Sequence, residues 1–352
     1  MKKLVIRGYY GNGNCGDEAL LQTMHGFYSS AFQIVVSVNK LESALSLQKQ
    51  GVFPYKSSEV CGSLHRGLLA NRETVGMILG GGGLGLGFGW DQYMFAWRNN
   101  KKIIHAGVHI TGEFYKDSDE SFNQVSRNFL AAADWFSVRH RHSIAMCSKI
   151  GVKARYLPDW AFALPVEPAN FVPHRDYVVV VIRSDTNKDR DLTLKTFETI
   201  QGYASKNALD IVIIPFDGSD ENMTKRLGLD SHMLGKMYFE PKKVKSIISH
   251  SKAVFSLGRY HPLVFAMASD VPVFSIDALR QDRSDDKTCL QLTEEGLEDF
   301  HFPLNRLNQF NVDSISALVQ NYNTQGKYTK RFLSYGEEVT SAALEISEIL
   351  AS

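Results

Sequence analysis

The residues best suited to chemistry lie in the C-terminal half. Arg183 closes the run VVVVIR, Arg259 and His261 follow the run AVFSL just before Pro262, and Lys287 ends the charged stretch RQDRSDDK, which also holds Arg280 and Arg283. Guanidinium and ammonium groups bind anions, and imidazole is the side chain that exchanges a proton near neutrality. Cations after separate strands therefore predict one pocket for a small anionic ligand, assisted by the helix that Pro262 begins. A second set lies near the N-terminus, where the turn in GYYGNGNCGDEALL carries Tyr9, Tyr10, Asn12, Asn14 and Asp17. Phenol, carboxamide and carboxylate groups beside exposed backbone suit the hydroxyls of a sugar. The plainer alternative is a tight turn in which Asp17 only caps a helix.

Gly11 to Gly16 also spells G-x-G-x-x-G, the pattern of a dinucleotide cradle. Two features speak against that chemistry. The second strand ends in Ser37-Val38-Asn39-Lys40, with no acid for a ribose, and Asp17 and Glu18 fill the first helical turn, where they would repel a phosphate. The glycines around 80–89 allow close packing, and Trp90-Asp91 beside them reads as a sugar platform with a hydrogen-bonding acid.

The elements that must position these groups alternate between short β-branched runs and helical patterns, the signature of βαβ units and parallel sheets. Strands are expected at Lys3–Arg7, Gln33–Val38, Val75–Leu79, Lys102–Ala106, Trp135–Val138 and Ala154–Leu157, then at Tyr177–Ile182, Asp210–Pro215, Ala253–Leu257 and Val271–Ile276. The proline-rich stretch LPVEPANFVPHRD interrupts the series and reads as a linker. The expectation is an α/β chain of two doubly wound, Rossmann-like domains facing a cleft in a GT-B-like architecture. Residues 1–166 are expected as an N-terminal domain, 174–325 as a C-terminal domain and 326–352 as a C-terminal helix.

Composition narrows the functional classes. Lys plus Arg number 39 against 38 Asp plus Glu, so no global field favours nucleic acid and any anion site is local. Cys15, Cys61, Cys147 and Cys289 form no C-x-x-C pair, which argues against a zinc ribbon or a disulfide framework and fits a reducing cytoplasm. The pairs His105/His109 and His140/His142 come without a third ligand at a suggestive spacing, so no metal is expected. Arg7 follows too short an apolar run for a signal peptide, and the uncharged stretch Thr74–Trp90 is too rich in glycine to span a bilayer. A cytoplasmic protein is expected, with a peripheral contact to the inner face of the membrane left open.

The N-terminal stretch G-Y-Y-G-x-G-N-x-G-D-E-A-L-L resembles the signature of the polysaccharide pyruvyl transferase family, and further motifs follow in order. Ile78-Leu79 with Gly80-Gly81-Gly82 is similar to the family's strand and triple glycine, and Ser137-Val138-Arg139 resembles its S-V-R segment. Pro158-Asp159 with Ala161-Phe162-Ala163-Leu164 resembles its D-P-A-F-A-L turn, Arg259-Tyr260-His261 its R-L-H element, and Asp286-Lys287 its D-P-K segment. Arg183 stands where the family's second domain has an arginine. The chain departs at His105-Ala106-Gly107, at Val138-Arg139-His140-Arg141 and at Tyr260, where the family usually has leucine.

The resemblance implies phosphoenolpyruvate as co-substrate, with no separate cofactor. It implies as acceptor a sugar diol of a cell-surface polysaccharide or its lipid-linked precursor, and as product a cyclic pyruvate ketal. Arg183, Arg259 and Lys287 would bind the donor, and Arg139 would reach its carboxylate on resemblance alone. His261 is the candidate acid or phosphate ligand and Asp17 the candidate base. Tyr9, Tyr10, Asn12, Asn14, Trp90, Asp91 and Asp159 would face the acceptor. Two rival readings are a nucleotide-sugar glycosyltransferase of GT-B type and a carbohydrate-binding protein that has kept the scaffold without turnover.

Overall fold

The structure, a computed structural model, describes all residues except 63–65, 85–89, 111–118, 170–172, 185–188, 230–236, 278–285 and 326–327. Arg280 and Arg283 fall outside the described residues. The chain divides into two compact units, Met1–Leu164 with Gly336–Ser352, and Pro165–Tyr335.

The first unit is built on strands β1 (Lys3–Arg7), β2 (Gln33–Val38), β3 (Glu59–Gly62), β4 (Thr74–Gly80), β5 (Gly83–Leu84), β6 (Lys102–Ile110), β7 (Trp135–Val138) and β8 (Arg155–Tyr156). They run parallel in the order β3-β2-β1-β4-β6-β7-β8, with β5 beside β6. Parallel neighbours require crossovers, and the intervening helices supply them. The strand order reverses at β1 and β4, so the C-terminal ends of these two strands form the crevice where such sheets bind ligands. Arg7 pairs with Ser37 on one side and Leu79 on the other, which brings the turn after β1 level with the glycines after β4.

The second unit holds β9 (Tyr177–Ile182), β10 (Asp210–Ile213), β11 (Ala253–Leu257), β12 (Val273–Asp277) and β13 (His301–Pro303), parallel in the order β10-β9-β11-β12-β13. In β9 the run YVVVVI is buried at every position. Burial on both faces explains why the run is continuous rather than alternating. Leu257 lies opposite Ile182, and Arg183 N donates to Leu257 O at 2.9 Å, so the residues that follow β9 and β11 emerge side by side.

The final helix, Tyr328–Ala351, begins in the second unit and ends in the first. Val339, Ala343, Ile346 and Leu350 are its buried stripe. A Cβ on Gly76 would lie 2.9 Å from Leu350 Cδ2, so glycine there lets the helix close on β4. Among the described residues no helix is long and apolar enough to cross a membrane.

Candidate functional site

At the C-terminal edge of the second sheet, Arg259 follows Gly258, whose φ of 84° turns the chain sharply after β11. The Arg259 guanidinium is engaged by two acids from the turn after β10. Nε donates to Asp220 Oδ2 at 2.8 Å, Nη2 donates to Asp220 Oδ1 at 2.6 Å, and Nη2 also donates to Asp217 Oδ2. Asp217 is the N-cap of the helix Gly218–Arg226, accepting from Ser219 N and Asp220 N. Asp220 also accepts from Ser184 N at 3.1 Å and from Phe216 N at 3.2 Å, so one carboxylate ties together the ends of β9, β10 and β11. Burial pushes the Asp220 carboxyl up to about 6, although Arg259 pulls the other way. Burial would also raise Asp217, but Arg259 and the capping bonds hold it below the ordinary carboxylate value.

This cluster revises the expectation for Arg259. Its charge is met by two carboxylates at hydrogen-bond distance, so it is a post that fixes the turn rather than a cation held in reserve for a ligand. Arg183, His261 and Lys287 are each half-buried around that post. Arg183 adjoins Ser184, the residue bonded to Asp220. His261 is the first residue of the helix His261–Met267, and its ring meets that of Tyr260 edge-on at 5.2 Å. Lys287 does not lie in a charged loop, as its surroundings in the sequence suggest, but opens the helix Lys287–Glu295, capped by Asp286. Burial would raise Asp286, but its bonds from Thr288 and Cys289 keep it lowered and ionised. Lys287 Nζ stands 5.7 Å from the Tyr260 ring centroid. Arg183, Arg259, His261 and Lys287 thus all belong to the C-terminal edge of one sheet.

In the first unit most predicted ligands turn out to build the scaffold. Tyr10 is 1% exposed and its hydroxyl donates to Gly80 O at 2.7 Å, pinning the turn after β1 to the triple glycine. A Cβ on Gly80 would come within 2.3 Å of Met24, and one on Gly81 within 2.2 Å of Leu20, so these glycines admit the helix Cys15–Tyr28. Asn14, not Asp17, caps that helix, because its side chain accepts from Gly16 N and Asp17 N while its backbone is still extended. Asn12 Nδ2 donates to Tyr9 O and Tyr10 O, and its buried Oδ1 makes no hydrogen bond among the described residues. Arg139 is 2% exposed and donates to Asp159 Oδ2 at 2.7 Å, while Asp159 Oδ1 accepts from Ala161 N at 2.9 Å. The expectations that Arg139 reaches a donor and that Tyr10 and Asp159 face an acceptor are corrected: all three are buried and bonded within the unit. Tyr9 is 51% exposed and Asp17 is half-buried. Trp90 and Asp91 open the helix Trp90–Arg98, but their side chains lie outside the described residues.

Three comparisons bear on this arrangement. The profile of the polysaccharide pyruvyl transferase family matches residues 14–278. The chain belongs to the polysaccharide pyruvyl transferase family. No curated protein matches it significantly. Solved structures share the fold at low identity. A putative UDP-N-acetylglucosamine 2-epimerase from Listeria monocytogenes is 10% identical with a TM-score of 0.60, covering 98% of this chain and 94% of its own. HepE from Anabaena, in complex with UDP and glucose, is 13% identical with a TM-score of 0.56, covering all of both chains. The calicheamicin glycosyltransferase CalG4 is 10% identical with a TM-score of 0.53, covering 99% of this chain and 98% of its own. The fold is therefore that of GT-B glycosyltransferases and related epimerases.

This pyruvyl transferase family member also buries titratable side chains behind its turns and strands. Glu18 is fully buried, accepts from Gly11 N at 2.9 Å and from Tyr55 Oη at 2.6 Å, and is pushed up to about 8 by burial. It braces the N-terminal turn from behind. Asp217 and Asp220 were signalled only by the acid-rich D-G-S-D after a strand, which reads equally as a helix cap. His105 is buried and held neutral, its ring pushed down to about 3 by burial. Among the described residues no group of three His, Cys, Asp or Glu side chains is arranged to hold a metal ion.

Proposed function

We propose that this protein transfers the pyruvyl group of phosphoenolpyruvate to a sugar diol of a cell-surface polysaccharide or its lipid-linked precursor. The products are a pyruvate ketal and phosphate, and no cofactor takes part beyond the co-substrate. The observation that carries the reading is the grouping of Arg183, His261 and Lys287 around the Arg259 post at one sheet edge. Family membership supports it. A donor with a phosphate and a carboxylate needs several cations, and Arg183 and Lys287 suit those two groups.

In the proposed sequence an acid, His261, protonates the methylene carbon, and positive character develops at the neighbouring carbon. One acceptor hydroxyl attacks there and gives up its proton to a base. The carbon–oxygen bond to phosphate breaks, and phosphate leaves with the bonding pair beside Arg183 and Lys287. The second hydroxyl then closes the ketal and releases its proton. On the first unit, Asp17 is the candidate base and exposed Tyr9 a candidate contact for the acceptor.

A nucleotide-sugar reading draws on the UDP bound in HepE. The test is incubation with phosphoenolpyruvate and a panel of oligosaccharides, following phosphate release and product mass. Acceptor-dependent phosphate with an added pyruvyl mass supports ketal transfer. Release of nucleotide from sugar nucleotides with no reaction of phosphoenolpyruvate replaces it, and donor binding without turnover supports the non-catalytic alternative.

A further inference from the structure

The helix Lys287–Glu295 carries Lys287, Gln291 and Glu295 at intervals of one turn, so the three share a face. Gln291 and Glu295 are both 2% exposed. The Tyr260 hydroxyl lies 2.8 Å from Gln291 Oε1, and Gln291 Nε2 lies 3.1 Å from Glu295 Oε1. Glu295 also accepts from the Tyr335 hydroxyl at 2.9 and 3.0 Å and pairs with Arg331 Nε at 2.9 Å. A continuous chain of polar contacts therefore runs from the turn beside Arg259 to the final helix.

The chemistry of its members fixes the direction of that chain. A carboxylate paired with a guanidinium only accepts hydrogen bonds. Gln291 must then turn its amide NH2 to Glu295 and its carbonyl oxygen to Tyr260, and the Tyr260 hydroxyl must donate. An apolar residue at 291 would fill the same space without the cost of burying an amide. What the polar chain adds is a fixed orientation of the Tyr260 ring, the surface against which Lys287 Nζ and the His261 ring are both set.

We propose that Gln291 and Glu295 are positioning residues of the donor site, acting through Tyr260 on Lys287 and His261. The proposal rests on the reading of that edge as the phosphoenolpyruvate site. Its test compares the full chain with Tyr260→Phe, Gln291→Met and the double variant by calorimetric titration with phosphoenolpyruvate. Tyr260→Phe removes one oxygen atom and is expected to weaken binding about five-fold, as for loss of one buried neutral hydrogen bond. The double variant should bind no worse than Gln291→Met alone, because both changes break the same chain. Unchanged binding in Tyr260→Phe, or losses that simply add, overturns the proposal.

A second readout needs no donor. The His261 imidazole resonance, assigned with His261→Gln, should move in Gln291→Met, and an unmoved signal also overturns the proposal. If the unmodified chain fails to bind phosphoenolpyruvate while the resonance moves, the positioning role stands and the donor assignment falls. Should Gln291→Met not fold, Tyr260→Phe carries both measurements.

Discussion

Replacing Arg259 by methionine should unfold the second unit before it reports on catalysis. The side chain is 10% exposed and neutralises Asp220, which is fully buried, and Asp217, which is 21% exposed. Removing it leaves two carboxylates facing one another at the sheet edge, and loss of one partner from a buried ion pair costs about 3–5 kcal/mol. For a unit of this size each kcal/mol lowers the melting temperature by about 2–4 °C, so a fall of roughly 6–20 °C is expected. The loss should depend on pH. The folded value of Asp220, about 6, lies above its ordinary 3.8, so the folded state holds that proton more tightly; its contribution is present at low pH and is lost as pH rises through about 6. Without Arg259 to pull it down, Asp220 should titrate higher still, and the variant should be penalised less at pH 5 than at pH 7.5. Differential scanning calorimetry at the two pH values measures both effects, and adding Asp220→Asn to the variant should return part of the loss. A drop under about 3 °C, or one equal at both pH values, would refute the view of Arg259 as a buried post.

Other expectations follow from the same geometry. Glu18 titrates near 8 in the folded state against 4.5 ordinarily, so its contribution to stability is present below about 4.5 and fades as pH rises through about 8. Glu18→Gln should flatten that decline in urea titrations, and an unaltered pH profile would count against a buried acid. Asp159→Asn leaves Arg139 without its buried carboxylate and should cost about 3–5 kcal/mol in chemical denaturation, with Arg139→Met restoring part of it. Lys287→Met should raise the KM for phosphoenolpyruvate about ten-fold, the worth of one charge-assisted bond, and an unmoved KM would remove Lys287 from the donor site. Asp17→Asn should lower turnover more than donor affinity in the phosphate-release assay, whereas an unchanged rate leaves Asp17 a helix-dipole residue only.

The strands that form the sheet centres could be read directly, because burial on both faces writes itself as an unbroken β-branched run. Lys3–Arg7, Gln33–Val38, Tyr177–Ile182 and Ala253–Leu257 keep their expected bounds. The edge strands Glu59–Gly62 and His301–Pro303 carry no such run and went unseen, as did the helix Lys287–Glu295, whose start is hidden in a charged stretch. The sheet edge that gathers Arg183, Arg259, His261 and Lys287 was legible as the chain positions that follow strands. The partners were not. Asp220 lies 39 residues from Arg259, and nothing local in the sequence couples them, so an arginine already met by two acids looks identical to one waiting for a ligand. The same reasoning separates Arg139, bonded to Asp159 across 20 residues, from its expected role. Sequence alone reads Arg259 as a donor-binding cation, whereas the structure gives its guanidinium two carboxylate partners.

Because the last segment of the chain completes the first unit, the order of synthesis and the order of folding cannot coincide. Val339, Ile346 and Leu350, each at most 2% exposed, contribute about 5–9 kcal/mol together by burial, comparable with the whole stability of an ordinary domain. A ribosome that has released only residues 1–164 has therefore made a sheet lacking one of its covers, and a nascent or truncated chain ending before Gly336 should be a client for chaperones and proteases until residues 336–352 emerge.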